Sequence, residues 1–271
     1  MLKKNEIKVI KNLPGGVTRE VLLGENNGQK VVIKNYKTRI MPTFVDLSKS
    51  TFSLFFALNS VFPKISFSSR KQRIKREIRA RKDLEKLGIM SPHLLGHSFK
   101  KNYLIEEFIE GQNLFDLIKK SDGDMRKALS YQVGKLTGFI HSKNYSFFDN
   151  RPQNYIMNSN KIFRTDLETF VEKTSEFEKT CDIISFTESF NGDTRKEVYE
   201  NFLKGYSSYS QYHPNSFLEL FARKVLVILN SNISRSRISS LIQKHSVRLN
   251  RNSLHSVKHL LARNKGPSET D

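Results

Sequence analysis

Three short β-patterned runs open the chain. Residues 6–13, 20–23 and 30–34 are rich in Val, Ile and Leu, and Pro14-Gly15-Gly16 and residues 25–29 separate them. That pattern predicts antiparallel strands joined by turns. The period then changes. Between 70 and 87, Ile74, Ile78, Arg81, Leu84 and Leu87 recur every three or four residues, which predicts a helix stopped by Gly88. Runs at 97–99 and 103–107 predict two further strands around a Lys-Lys-Asn turn, and Gly111 breaks the pattern before a helix beginning near Leu114. A second helix is expected over 125–141, with Leu129, Val133, Leu136, Phe139 and Ile140 on its buried stripe. More helices are expected over 181–190, over 194–206 with Gly205 as its stop, and over 216–229. Strands first and helices afterwards make an α+β chain.

Composition narrows the partners. The 271 residues are 37% hydrophobic and 27% charged, enough to bury a core in one large domain or two lobes. A formal net charge of +19 implies an anionic partner: nucleic acid, acidic lipid or nucleotide phosphate. The single cysteine, Cys181, excludes a disulfide framework and a multi-cysteine metal site, so a reducing, cytoplasmic setting is expected. No signal peptide or transmembrane segment is expected. The first ten residues are too polar, and the most apolar stretch, 51–62, ends at Pro63, short of the ~20 residues a span needs. From 220 to 268 there is no Asp or Glu against ten Lys or Arg, which reads as a solvated basic face or as a polyanion-binding surface for RNA such as tRNA. The segment 35–69, with five phenylalanines from Phe52 to Phe67, reads as an insertion on the first lobe or as an apolar docking surface.

The candidate chemistry centres on 147–170, FFDNRPQNYIMNSNKIFRTDLETF. Asp149 precedes Asn154 by five residues, and Asp166 follows a short turn at 158–160. Phosphoryl transfer from ATP uses such a set: one carboxylate orients and deprotonates the attacking hydroxyl, while an amide and a second carboxylate hold Mg²⁺ against the phosphates. Asn, Asp and Pro at these spacings also simply make turns, so the reading depends on the other parts. Lys34 closes the apolar strand VVIK, where a lysine can meet ATP phosphates. Glu77 lies in the 70–87 helix as its partner, with Glu85 in reserve. Gly15 and Gly16 let backbone N–H groups approach phosphate, although a full G-x-G-x-x-G is missing. Backbone groups from Glu107 to Ile109 are placed to bond an adenine edge. His141, just ahead of the loop, reads as structural.

With these parts in order, the chain resembles small atypical kinases of the KEOPS-associated and Rio-like group. The likeness rests on VVIK, REIRARKDLEKLGI, EEFIEG, IHSKNYSFFDNRPQN, RTDLE, CDIISF and ENFLKGY, and covers about residues 7–206. It implies a two-lobed protein kinase-like fold, ATP and Mg²⁺ as cofactors, Asp149 as catalytic aspartate, Asn154 and Asp166 as metal ligands, Lys34 on phosphate and Glu77 positioning it. For the KEOPS-associated members it also implies ATPase or kinase work supporting threonylcarbamoyladenosine formation on tRNA. Three departures stand out: Phe147 replaces the usual catalytic-loop histidine, Glu168 replaces the glycine after the metal aspartate, and no A-P-E motif follows. RTDLE also resembles lipopolysaccharide-core sugar kinases, which keeps a small-molecule acceptor open beside a protein one.

The expected organisation is a first lobe at 1–108 with an antiparallel sheet, a mainly helical second lobe at 109–215, and a basic helical extension at 216–265. The expected activity is ATP- and Mg²⁺-dependent phosphoryl transfer to a Ser/Thr hydroxyl, or ATP hydrolysis. The alternatives are a pseudokinase scaffold that binds partners or RNA, and a sugar kinase of the lipopolysaccharide type.

Overall fold

Strand alternation decides what the first half of the chain buries. The structure is a computed structural model that describes residues 1–14, 19–37 and 69–214, with Ser216, Glu219 and Ala222. A short 3₁₀ turn at Lys4–Glu6 leads into β1 (Lys8–Leu13), β2 (Arg19–Asn26) and β3 (Gln29–Tyr36). After helix α1 (Arg70–Lys86) come β4 (Leu94–Ser98) and β5 (Tyr103–Glu107). These strands form one antiparallel sheet in the order β1-β2-β3-β5-β4. Asn27 and Gly28, with φ of 48° and 79°, make the two-residue turn between β2 and β3. On one face Ile7, Leu22, Val31, Ile33, Tyr103 and Ile105 pack together. On the other, Tyr36 and Leu104 pack on Ile74 of α1. Period two places Arg19, Lys34, Tyr36 and Glu106 on that second face, because Arg19 pairs opposite Tyr36, Lys34 opposite Leu104 and Val32 opposite Glu106.

Ser69 caps α1: its Oγ accepts the Gln72 N–H at 3.2 Å, and the Gln72 Oε1 accepts the Ser69 N–H at 2.7 Å. The stop at Gly88 is a left-handed residue with φ of 71°. The buried side of α1 is Arg73, Ile74, Glu77, Ala80, Arg81 and Leu84. Half of it is charged.

The second half is helical. Elements α2 (Leu114–Lys120), α3 (Gly123–Ser142), α4 (Glu176–Thr187) and α5 (Gly192–Tyr206) surround a core that includes Leu114, Val133, Tyr155, Phe186, Phe202 and Tyr206. Between them lie the hairpin of β8 (Tyr155–Asn158) and β9 (Lys161–Arg164), edged by β6 (Gln112–Asn113), and the pair β7 (Tyr145–Ser146) and β10 (Val171–Glu172). Leu84 and Ala80 of α1 share a fourth cluster with Ile140, Phe147, Leu167 and Phe170, which ties the helix to the loops after β7 and β9.

Two expectations need correction. The helix expected from Cys181 begins five residues earlier, at Glu176. Ser175 and Glu178 form a capping box there. Gly205 is not a stop: α5 continues to Tyr206, and a Cβ on Gly205 would sit 2.0 Å from the Tyr131 carbonyl oxygen of α3. Its role is close helix–helix approach. Of the insertion 35–69, residues 38–68 lie outside the described residues, as do Gly15, Gly16 and all but scattered positions of the basic extension. Among the described residues, no helix is long and apolar enough to cross a membrane.

Candidate active site

A hairpin brings Asn154 beside the segment that carries Asp166. Ser159 and Asn160, with φ of 45° and 63°, turn the chain between β8 and β9, and the register sets Tyr155 opposite Arg164. One step beyond the strands, the Thr165 N–H donates to the Asn154 carbonyl at 3.0 Å. Asn154 itself sits at the end of a 3₁₀ turn, Pro152–Asn154. Its Nδ2 donates to the Asp149 carbonyl at 2.9 Å and lies 3.4 Å from Asp149 Oδ2. Asp149, Asn154 and Thr165–Asp166 therefore converge through direct contacts.

The loop before Asp149 is held from below. Asp182 on α4 is fully buried, and its Oδ2 takes His141 Nε2 at 2.9 Å, the Ser146 hydroxyl at 2.8 Å and the Phe147 N–H at 2.9 Å. His141 reaches the Tyr206 hydroxyl with its other nitrogen at 2.8 Å. This histidine is an internal brace. Phe148 has φ of 60°, unfavourable for a bulky residue, and its N–H donates to Ser146 Oγ at 3.1 Å. The buried Phe147 ring lies 4.7 Å from the Arg164 guanidinium, and Tyr155 flanks the same cation at 4.8 Å. Arg164 Nη2 then donates to the Asp149 carbonyl at 2.6 Å. The backbone before Asp149 is thus anchored by Asp182, and the Asp149 carbonyl by Arg164.

Lys34 has three oxygens close by: Glu77 Oε1 at 2.7 Å, Glu106 Oε1 at 2.9 Å and the Thr165 carbonyl at 2.7 Å. Glu85 is exposed and does not take part. Tyr36 donates its hydroxyl to Glu77 Oε2, and Arg81 bonds both Glu77 and Glu106. Burial by itself would raise the Glu77 carboxyl, but Lys34, then Arg81 and Arg19, outweigh it and hold it well below the ordinary range. Asp166 behaves alike: burial opposes its charge, and Arg19 overcomes this. Arg19 Nη1 donates to Asp166 Oδ1 at 2.9 Å, and Nη2 bonds Oδ2. The Glu168 carboxylate lies 3.7 Å from Arg19 and 2.6 Å from Arg73. The residue in the usual glycine position thus joins an ionic cluster. Asp149 is paired as well, with Arg151 Nε at 2.6 Å and Nη2 at 2.7 Å.

Glu107 ends β5, and Ile109 follows two residues later. The Glu107 N–H is already donated to the His93 carbonyl at 2.9 Å. Sequence reasoning missed Arg19, Glu106, Arg151 and Arg164. The one available signal was Arg81, a cation falling on the apolar spacing of α1.

Donor chemistry fits a hard cation. Donation from Nδ2 fixes the Asn154 amide, and among the described residues nothing donates to its oxygen. The described residues contain no cluster of three His, Cys, Asp or Glu side chains placed to hold a metal. One amide and one carboxylate suit Mg²⁺ only with phosphate oxygens completing its shell.

No protein-family model matches the chain. It is 27% identical over 104 residues to KEOPS complex subunit Bud32 of Pyrococcus abyssi, a match spanning 38% of this chain and 47% of that protein, under half the relative's length. The structure resembles WaaP in complex with acyl carrier protein, with a TM-score of 0.51 and 14% identity over 82% of this chain and 89% of that one. A further likeness is to the Rio2 kinase–ADP/Mg²⁺–phosphoaspartate complex from Chaetomium thermophilum, with a TM-score of 0.49 and 11% identity, covering 82% of this chain and 71% of that one.

Proposed function

From the premise of an atypical protein kinase-like fold, we propose that this chain binds ATP with Mg²⁺ and transfers the γ-phosphoryl group to an alcohol or to water. The observation that carries the reading is the convergence of Asp149, Asn154, Asp166 and Lys34 through the Asn154–Asp149, Thr165–Asn154 and Lys34–Thr165 contacts. Lys34, more than a hundred positions earlier in the chain, meets the local Asp149–Asp166 segment there, in the combination this reaction uses.

In this reading Asn154 and Asp166 hold Mg²⁺, which offsets phosphate charge when bound. Lys34 would exchange one of its three present contacts for the α- and β-phosphates, and Glu77 holds the Lys34 ammonium in place. The Glu107 carbonyl and the Ile109 N–H meet the adenine edge. Gly15 and Gly16, which precede β2 in sequence, would approach the phosphates. Asp149 accepts the proton of the attacking hydroxyl as its oxygen bonds the γ-phosphorus; the bond to the β-phosphate oxygen breaks, and ADP leaves with that electron pair. A protein Ser/Thr, a sugar and water all suit this chemistry.

The partial match to a KEOPS complex subunit supports a setting within a protein assembly. The ten cations of 220–268 support a polyanion such as tRNA as a further partner. Deleting 231–271 should then weaken tRNA binding and flatten its salt dependence. The three-part organisation, 1–108, 109–215 and 216–265, belongs to the same proposal.

The deciding experiment is turnover of γ-labelled ATP by the wild type and by Asp149→Asn. The variant should bind ATP with Mg²⁺ like the wild type and lose turnover by about a hundredfold or more. Wild-type turnover in the variant would remove Asp149 from its role. A scaffold without chemistry is the second reading, favoured by the arginine pairs on both Asp149 and Asp166; it requires a wild type that does not turn over ATP.

A further inference from the structure

Eight of the buried or nearly buried charges at this site pair as four cations and four anions. Arg19, Lys34, Arg73 and Arg81 face Glu77, Glu106, Asp166 and Glu168. Their capacity to meet a new anion differs. An ammonium has three protons, and Lys34 has three oxygens within 2.9 Å: Glu77, Glu106 and the Thr165 carbonyl. Arg81 is spent on Glu77, Glu106 and the Glu77 and Pro92 carbonyls. A guanidinium has five donors, and Arg19 commits one from each terminal nitrogen to Asp166. Arg19 therefore has donors to spare where Lys34 and Arg81 do not. It is also the cation directly on Asp166.

We propose that Arg19 has two successive partners: it neutralises the Asp166 carboxylate until a divalent ion takes that carboxylate, and it then binds the polyphosphate of the nucleotide through its guanidinium fork. This rests on the reading of Asp166 as a metal ligand of a nucleotide site. The geometry supports it from both sides. Both Asp166 oxygens face one guanidinium, so a cation of higher charge density must displace that contact to bind there. Displaced from Asp166, Arg19 keeps Glu168 at 3.7 Å as a weaker tether, and Glu168 is itself neutralised by Arg73 at 2.6 Å. Position on the sheet fits as well. Arg19 opens β2 and lies opposite Tyr36, on the face that carries Lys34. Arginine suits phosphate because its planar fork presents two parallel donors.

The consequence is a pair of effects of opposite sign. Removing Arg19 strips Asp166 of its competitor, so the metal alone binds more tightly. The same change removes a phosphate ligand, so the nucleotide binds more weakly. The test uses the full chain as wild type, Arg19→Ala and Arg19→Lys, with Mn²⁺ alone followed by electron paramagnetic resonance, and a non-hydrolysable ATP analogue with Mg²⁺ followed by calorimetry. For Arg19→Ala the Mn²⁺ dissociation constant should fall about tenfold and that of the analogue should rise about tenfold, the size of one charge-assisted contact. Arg19→Lys keeps a charge without the fork and should shift both constants in the same opposite senses by less. It carries the test if the alanine variant does not fold. Constants that both weaken, or that do not move while the wild type binds both probes, overturn the proposal. A wild type that binds neither probe overturns the reading of the site itself.

Discussion

The Lys34 ammonium lies 2.9 Å from Glu106, almost as close as to Glu77 at 2.7 Å. Arg81 joins the same two carboxylates from α1, so two cations and two anions form a closed buried set. Glu106→Gln leaves Lys34 and Arg81 with one carboxylate between them. Breaking a buried pair from one side costs about 3 kcal/mol or more, so the urea midpoint of the variant should fall clearly. An unchanged midpoint would show that Glu106 is not part of the balance.

Acid should act through Glu77. Its folded pKa is held far below its unfolded value of about 4.5 by Lys34 and Arg81, against the effect of burial. A carboxyl shifted in this direction stabilises the fold fully above its unfolded pKa, and that stabilisation drains away as pH falls through the folded one. Glu77→Gln should therefore be less stable than the wild type by about 3 kcal/mol at pH 7, with the gap narrowing between pH 5 and pH 2. Denaturant titrations at several pH values measure it. A gap that stays constant with pH contradicts the assignment.

Close packing of α3 and α5 makes a third prediction. A Cβ at Gly205 would meet the Tyr131 carbonyl oxygen at 2.0 Å, and one at Gly134 would meet that of Phe202 at 2.0 Å. Both obstacles are backbone, so the helices must separate. Gly205→Ala should lower stability by about 2 kcal/mol or more despite the better helix propensity of alanine. A melting temperature equal to or above that of the wild type would count against it.

What the sequence revealed follows from where the physics is local. The β-favouring apolar run of 30–34 and the three-to-four spacing of 70–87 made β3 and α1 legible, and Lys34 and Glu77 with them. Asn154 and Asp166 were legible together because a short turn between two short strands brings their ends into contact. Glu106 was hidden because its burial depends on register with Val32, a pairing across 74 positions that no local pattern encodes. Arg19 was hidden for the same reason: its partner Asp166 lies 147 residues away. Gly205 misled because a glycine near a helix end commonly marks a stop, whereas here the neighbouring helix requires it.

The central claim is that Asp166 and Asn154 hold a divalent ion against the phosphates of ATP. Calorimetric titration of ATP into the wild type and into Asp166→Ala, each with and without Mg²⁺, tests it most directly. The account predicts wild-type binding that requires Mg²⁺ and a loss of that Mg²⁺-dependent binding in Asp166→Ala. Equal affinity with and without Mg²⁺ in the wild type, or undiminished Mg²⁺-dependent binding in the variant, would contradict it.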